Sequence, residues 1–126
     1  MPNITVLFER IDVINDGENL QKGKLYWNFA VNGTTVSSRS SSSPRLEGSG
    51  GQVSLDQSHS IQRDSNDNLT VSGFLAEKDG ITSGQDDRDD FTHVWTPQQD
   101  WGQGSRSYRF TDRKLDCVLH YTVEVD

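Results

Sequence analysis

Eleven residues near the end of the chain, Leu115-Asp116-Cys117-Val118-Leu119-His120-Tyr121-Thr122-Val123-Glu124-Val125, decide the fold class. Every second side chain is apolar, and the apolar set is Leu115, Cys117, Leu119, Tyr121, Val123 and Val125. The side chains between them are mostly polar. Alternation with a period of two is typical of a β-strand that buries one face, whereas a helix would repeat every 3.6 residues. The stretch therefore predicts a half-buried strand.

The same period recurs along the rest of the chain. Further alternating runs lie at residues 4–13, 25–32 and 69–75, and other predicted strands lie at 52–55, 58–63, 91–95 and 105–111. In the first run the buried parity changes near Arg10, which predicts a β-bulge there. Asn32-Gly33 lies between β-type residues and predicts a tight hairpin turn. No segment has a helical apolar stripe over ten or more residues.

These patterns predict an all-β protein, a two-layer antiparallel β-sandwich of about eight strands and Greek-key type. The length suits a single domain over residues 1–126. Residues 37–51 are rich in Ser and Gly, and we expect them to form an exposed, flexible connection without chemistry of its own.

Composition limits the classes of partner. The formal net charge is -7, so a nucleic-acid partner is not expected, because phosphate binding needs clustered Lys and Arg. Cys117 is the one cysteine, which rules out an internal disulfide and suggests a small buried hydrophobe. A basic, apolar leader and a transmembrane run are both missing from the sequence. We expect a soluble protein that is cytoplasmic or exported without a cleaved signal peptide.

Carboxylates are concentrated directly after one predicted strand. Residues 77–90 hold six acidic side chains, and a second acidic loop follows the first strand. Like charges this close repel one another, and a hard cation with oxygen ligands is the usual relief. Calcium needs six to eight oxygens, which two loops meeting at one end of a sandwich would supply. The candidate ligands are Asp16, Glu18, Glu77, Asp79, Asp86, Asp87, Asp89 and Asp90. The alternative is a solvated acidic loop.

Other acidic stretches do not fit a known calcium loop. Counting from Asp64 or from Asp86, the glycine and the twelfth-position glutamate of an EF-hand are both missing. Asp64 also lies before the strand that ends near Glu77, so we place it at the opposite end of the sandwich. We interpret residues 64–67 as a polar turn.

The chain resembles the calcium- and lipid-binding β-sandwiches of the synaptotagmin and protein kinase C type, the C2 domains. The resemblance is carried by the strand Ile4-Thr5-Val6-Leu7-Phe8 with its Asn-Asp-Gly-Glu loop, and by the strand at residues 69–76 with its acidic loop. It implies ions held between loops at one tip. By position it implicates Asp16, Asp79, Asp87 and Asp90, with Glu18 and Glu77 as further candidates.

We therefore expect a non-catalytic calcium-binding module that interacts with lipid or protein. Two alternatives stay open: a carbohydrate-binding or structural sandwich with a stabilising calcium, and a small glycoside hydrolase that uses paired carboxylates. Trp101 is the candidate for an exposed partner contact, and its alternative role is to cover an edge of the sandwich. No nucleophile or histidine motif for catalysis is found in the sequence.

Overall fold

The computed structural model describes residues 2–16, 22–78 and 86–126. Within these ranges the protein contains nine strands and one short 3₁₀ helix at Pro97–Gly102. The strands are β1 Asn3–Asp16, β2 Gly23–Val31, β3 Thr34–Arg39, β4 Arg45–Glu47, β5 Gln52–Gln62, β6 Leu69–Glu77, β7 Asp87–Trp95, β8 Gly104–Asp112 and β9 Leu115–Val125. The described helix is too short to cross a membrane.

The strands form two antiparallel sheets. One has the order β5-β1-β9-β8, and the other has the order β3-β2-β6-β7 with β4 also paired to β2. Strands far apart in sequence are neighbours in both sheets, as expected of a Greek-key sandwich. The prediction of a two-layer antiparallel β-sandwich is confirmed.

The core lies between the sheets and is rich in aromatic rings. The ring of Phe29 on β2 stacks on Phe8 of the opposite sheet at 5.7 Å and on Phe110 at 5.9 Å between centroids. The inward side chains of β9 are the apolar ones that the alternation predicted. Full burial of one such aromatic side chain contributes roughly 1.5–3 kcal/mol, so these rings stabilise the contact between the sheets.

Strand β1 carries two bulges. The pairing register with β9 shifts between Phe8 and Arg10, as the sequence predicts, and again between Val13 and Asn15. A shift of one residue exchanges the two faces of a strand. After the second bulge Asn15 is exposed and Asp16 is buried. The second bulge therefore turns Asp16 towards the inside of the sandwich.

The turns between neighbouring strands follow local chemistry. Asn32 and Gly33 join β2 to β3 with φ of 45° and 84°, the left-handed values that a tight hairpin requires. Arg113 has φ of 55° in the turn between β8 and β9. The Asn32-Gly33 hairpin was predicted, whereas the β8–β9 turn was not.

Residues 37–51 were predicted to form an exposed, flexible connection, but parts of this stretch form strands. Residues 37–39 complete β3, and Arg45–Glu47 forms β4 against β2. Ser37 is buried, and its hydroxyl accepts a hydrogen bond from the Trp27 indole N–H at 3.1 Å. The low-complexity composition concealed these strands, since serine carries no apolar alternation.

Candidate functional site

One end of the sandwich, which we call the acidic tip, gathers the ends of several strands. Strand β1 ends there at Asp16, β6 ends at Glu77 and β7 begins at Asp87. The connections 17–22 and 78–86 leave from this end, and the β8–β9 turn also reaches it. Glu18 and Asp79, two of the predicted ligands, lie outside the described residues.

Asp16 is held at the tip by backbone contacts. Its side chain is only 3% exposed, and its Oδ2 accepts a hydrogen bond from the Gly23 N–H at 3.3 Å. The Asp16 N–H donates to the Ser49 hydroxyl at 3.2 Å. A Cβ atom at position 23 would lie 2.7 Å from the Asp16 carbonyl oxygen, so glycine is needed for this close approach. Gly23 thus fixes where the Asp16 carboxylate lies.

Glu77 and Asp87 are directly opposite each other on adjacent strands of the other sheet. Glu77 is 1% exposed and has the parity of the core residues Val71 and Leu75, so it faces inward. Asp87 is 6% exposed and has the inward parity of Phe91. Like charges at directly paired positions destabilise a sheet. Positive charge near Glu77 and Asp87 would therefore stabilise this part of the sheet.

Arg113 supplies part of that charge. Its guanidinium donates to Asp87 Oδ1 at 3.1 Å from the β8–β9 turn. The arginine side chain is 55% exposed while the Asp87 side chain is 9% exposed, so the pair lies at the rim of the acidic tip. Sequence reasoning missed Arg113 because only the folded hairpin brings it to β7.

Two of the predicted ligands point away from the inside of the tip. Asp86 accepts a hydrogen bond from the Tyr26 hydroxyl at 2.5 Å. Burial, and next the Asp86 hydrogen bond, raise the pKa of Tyr26 to about 12. Asp90 is exposed and pairs with Arg88, whose guanidinium also lies 3.8 Å from the centre of the Phe74 ring. The structure therefore does not place Asp90 with Asp16.

Asp89 connects two edge strands. Its Oδ2 accepts hydrogen bonds from the Tyr108 hydroxyl at 3.1 Å and from the Thr111 N–H at 3.0 Å, both on β8. Burial, followed by the hydrogen bond to Asp89, raises the pKa of Tyr108. These contacts hold β7 to β8 across the open edge of the sandwich, which is a structural role.

Three inward carboxylates thus lie on strand ends at the acidic tip, one from one sheet and two from the other: Asp16, Glu77 and Asp87. Carboxylate oxygens are the donors that calcium prefers, so this set suits that ion chemically. The described residues do not contain three His, Cys, Asp or Glu side chains arranged to hold a metal ion. With Glu18 and Asp79 outside the described ranges, these three residues are one part of the predicted ligand set.

Trp101 corrects one prediction. It is 7% exposed, and its indole N–H donates to the Asp67 carbonyl oxygen at 2.8 Å. Residues 64–67 precede β6, so Trp101 covers the end of the sandwich opposite the acidic tip. An exposed contact role for Trp101 is wrong, because the 3₁₀ helix folds the ring over the core.

The titratable groups outside the tip are built into the framework. Cys117 lies in the core, and burial, with the charges of Asp116 and Asp16 next, raises its pKa to about 12. His120 pairs with Asp12 on the outer face at 2.8 Å. His93 Nδ1 lies 2.6 Å from the Tyr121 hydroxyl. None of these contacts brings a histidine to the acidic tip.

Comparison by sequence finds no match for this chain, whereas comparison by structure does. No protein-family model matches the chain, and no curated protein matches it by sequence. Solved structures do match over nearly the whole chain. A C2 domain structure has a TM-score of 0.54 at 12% identity and covers 99% of this chain and 98% of its own.

Two further structures agree. A C2 domain of plant extended synaptotagmin 1 has a TM-score of 0.51 at 8% identity, covering 98% of this chain and 92% of its own. Human GIVD cytosolic phospholipase A2, in complex with a fluorophosphonate inhibitor and terbium chloride, has a TM-score of 0.55 at 9% identity. That match covers 99% of this chain but 17% of the phospholipase. The chain has a C2-like fold, distant in sequence from these proteins.

Proposed function

We propose that this chain is a non-catalytic binding module that takes up calcium at the acidic tip and then docks to a lipid or protein surface. The observation that supports it most is that Asp16, Glu77 and Asp87, each almost fully buried, all lie on strand ends at one end of a C2-like sandwich. These residues belong to three strands, at the end of the sandwich where two acidic connections begin.

Electrostatics explain why a cation belongs there. Buried carboxylates are costly unless they are paired or coordinate a metal. Arg113 carries one positive charge and donates a hydrogen bond to Asp87. A divalent ion would add two charges, and calcium accepts the irregular geometry that side chains from several loops provide, whereas magnesium demands a near-ideal octahedron.

The docking step is supported by apolar side chains beside the acidic tip. Ile14, two residues before Asp16, is 49% exposed, and Leu46, paired with Lys24 at the start of β2, is 54% exposed. Contiguous exposed apolar patches mark surfaces that contact a partner or a membrane, and we assign Ile14 and Leu46 to one such surface. Lys24 and Lys78 lie at the same end and add positive charge there.

The carbohydrate-binding alternative depended on an exposed Trp101, and Trp101 is buried. A structural module with a stabilising calcium stays as the second candidate, because Arg113 already neutralises Asp87 in part. Calcium would then raise stability without promoting docking. Vesicle binding separates these two functions.

The first experiment is thermal unfolding with millimolar calcium, with millimolar magnesium and with chelator. Because a ligand that binds only the folded state stabilises it, we expect calcium to raise the midpoint by at least about 3 °C and magnesium to do less. An unchanged midpoint in calcium contradicts the proposal.

Two matched variants, one at each end of the sandwich, test where calcium binds. Asp87→Asn at the acidic tip is expected to weaken calcium binding by roughly tenfold in calorimetry, about 1.4 kcal/mol. Asp64→Asn makes the same charge change at the opposite end and should bind calcium as the wild type does. Equal losses in both variants would rule out a site at the tip.

Sedimentation with phosphatidylserine-containing vesicles tests docking. We expect calcium-dependent sedimentation of the wild type, and a loss in the Ile14→Ser/Leu46→Ser double variant. Val94→Ser is the control, since Val94 is 50% exposed on β7 but pairs with Thr70 at the other end. Calcium stabilisation without vesicle binding would favour the structural module or a protein partner.

A further inference from the structure

The turn between β3 and β4, which we call the serine turn, consists of Ser40, Ser41, Ser42 and Ser43. All four residues are exposed. The turn is closed by a backbone hydrogen bond from the Ser43 N–H to the Ser40 carbonyl oxygen at 3.1 Å. It is therefore a short, accessible loop that an enzyme can approach from solvent.

Two cationic side chains from different parts of the chain lie on this turn. The Lys78 ammonium donates to the Ser41 carbonyl oxygen at 3.0 Å, and the Arg39 guanidinium donates to the Ser43 carbonyl oxygen at 2.7 Å. Both carbonyls are neutral acceptors, so neither contact balances a positive charge. In a chain of net charge -7, the serine turn is a local site of positive charge.

The four hydroxyl groups differ in their contacts. The Ser40 and Ser42 hydroxyls bond to each other at 2.8 Å, and the Ser40 hydroxyl also accepts the Ser42 N–H. Within the described part of the chain, the Ser41 hydroxyl makes no hydrogen bond. Ser41 is the second residue of the turn, and its carbonyl oxygen accepts the hydrogen bond from Lys78.

We propose that Ser41 is a phosphorylation site, and that the phosphate pairs with Lys78 and Arg39. In the reaction, Ser41 Oγ attacks the γ-phosphorus of a nucleoside triphosphate bound to a protein kinase. The Oγ–P bond forms, the bond from the γ-phosphorus to the bridging β,γ-oxygen breaks, and the nucleoside diphosphate leaves. The hydroxyl proton passes to the kinase base. Arg39, two residues before Ser41, suits an arginine-directed serine kinase.

The phosphate would change the acidic tip. A phosphoserine adds about −1.5 to −2 charges and three strong acceptor oxygens, so it forms charge-assisted hydrogen bonds with nearby cations. Lys78 follows Glu77 directly, and its N–H donates to the Lys24 carbonyl oxygen at 2.8 Å. A pair between the phosphate and Lys78 therefore ties the serine turn to the end of β6.

The test is phosphorylation of the full chain by an arginine-directed serine kinase with Mg-ATP. We expect one added phosphate, located at Ser41 by tandem mass spectrometry and lost in Ser41→Ala. Ser107, exposed in the middle of β8, is the internal control and should stay unmodified. No mass increase, or phosphate only at another serine such as Ser43, would overturn the assignment.

A second measurement tests the pairing. Phosphorus NMR of the phosphorylated protein should show a lower second pKa of the phosphate in wild type than in Lys78→Met, which keeps the length of the side chain without its charge. An equal phosphate pKa in both proteins would contradict the pair. Both measurements are made without calcium, in a chelator selective for calcium over magnesium, so Mg-ATP stays intact and the results hold or fail independently of calcium binding.

Discussion

Gly23 on β2 lies so close to Asp16 that no side chain larger than a hydrogen atom fits there. In Gly23→Ala the new Cβ would lie 2.7 Å from the Asp16 carbonyl oxygen, so β1 or β2 must move. Overpacking of this kind costs about 1–3 kcal/mol. We expect Gly23→Ala to lower both the free energy of unfolding, measured in urea, and calcium affinity.

Gly33→Ala is the control for Gly23→Ala. Gly33 has φ of 84° but open space around its missing side chain, so alanine there meets only backbone strain of about 1–2 kcal/mol. Calcium affinity should be unchanged in this variant. If both variants lose calcium affinity equally, global destabilisation explains the loss and Gly23 does not position the site.

The Arg113 side chain is an internal counter-ion at the acidic tip. Arg113→Gln removes the charge that pairs with Asp87, so we expect a lower unfolding midpoint in chelator. Calcium affinity should rise about two- to fivefold, because the ion no longer competes with the guanidinium. Calorimetry and thermal unfolding measure the two effects.

Arg109→Gln is the matched control on the same hairpin. Arg109 pairs with Asp116 on the outer face, where hydrogen bonds from Arg109 lower the pKa of the Asp116 carboxyl. Losing this exposed pair should leave calcium affinity as it was. A rise in affinity in both variants would show a general effect of net charge instead of a local one.

At the scale of elements, the edge strands β7 and β8 enclose a half-buried histidine. His93 Nδ1 contacts the Tyr121 hydroxyl, and its ring packs among Phe91, Trp95 and Tyr108. Burial, followed by the charge of Arg106, lowers the pKa of His93 below its usual 6.5. In the window below 6.5 the unfolded chain binds a proton that the folded protein does not.

Stability should therefore fall as pH decreases below about 6.5, and His93 should contribute no pH dependence above that value. Unfolding midpoints at pH 7.5, 6.5 and 5.5 measure this slope. In His93→Phe the slope should be smaller, although the lost Tyr121 contact lowers stability at every pH. The same slope in both proteins would assign the acid sensitivity to other groups.

At the scale of the whole molecule, Cys117 reports on global opening. The thiol is fully buried with its pKa raised to about 12, so a thiol reagent at pH 8 should react only when the sandwich unfolds. We expect slow modification of the native protein and rapid modification in denaturant. If calcium stabilises the fold, the rate falls by the factor 1 + [Ca²⁺]/Kd. Fast native modification would mean that the sheets separate locally.

The local patterns of this sequence predict most of its strands, but not β4 or the end of β3, and they divide β5 into two. The alternation at residues 115–125, the parity change near Arg10 and the Asn32-Gly33 turn each depend on neighbours in sequence, and the structure confirms all three. Alternation indicates which face of a strand is buried, because successive side chains point to opposite faces of the strand. The charge of -7 and the acidic connections are likewise properties of the sequence itself.

Tertiary structure alone decided which carboxylates face inward at the acidic tip. The second bulge turns Asp16 inward, and the pairing of β6 with β7 sets Glu77 opposite Asp87. Packing of the hairpin β8–β9 brings Arg113 to the same place, and the 3₁₀ helix buries Trp101 at the other end. Register and sheet packing join residues far apart in the chain, and a slip of one residue reverses every side chain. The acidic tip is therefore a product of the sandwich, and its acidic loops alone do not define it.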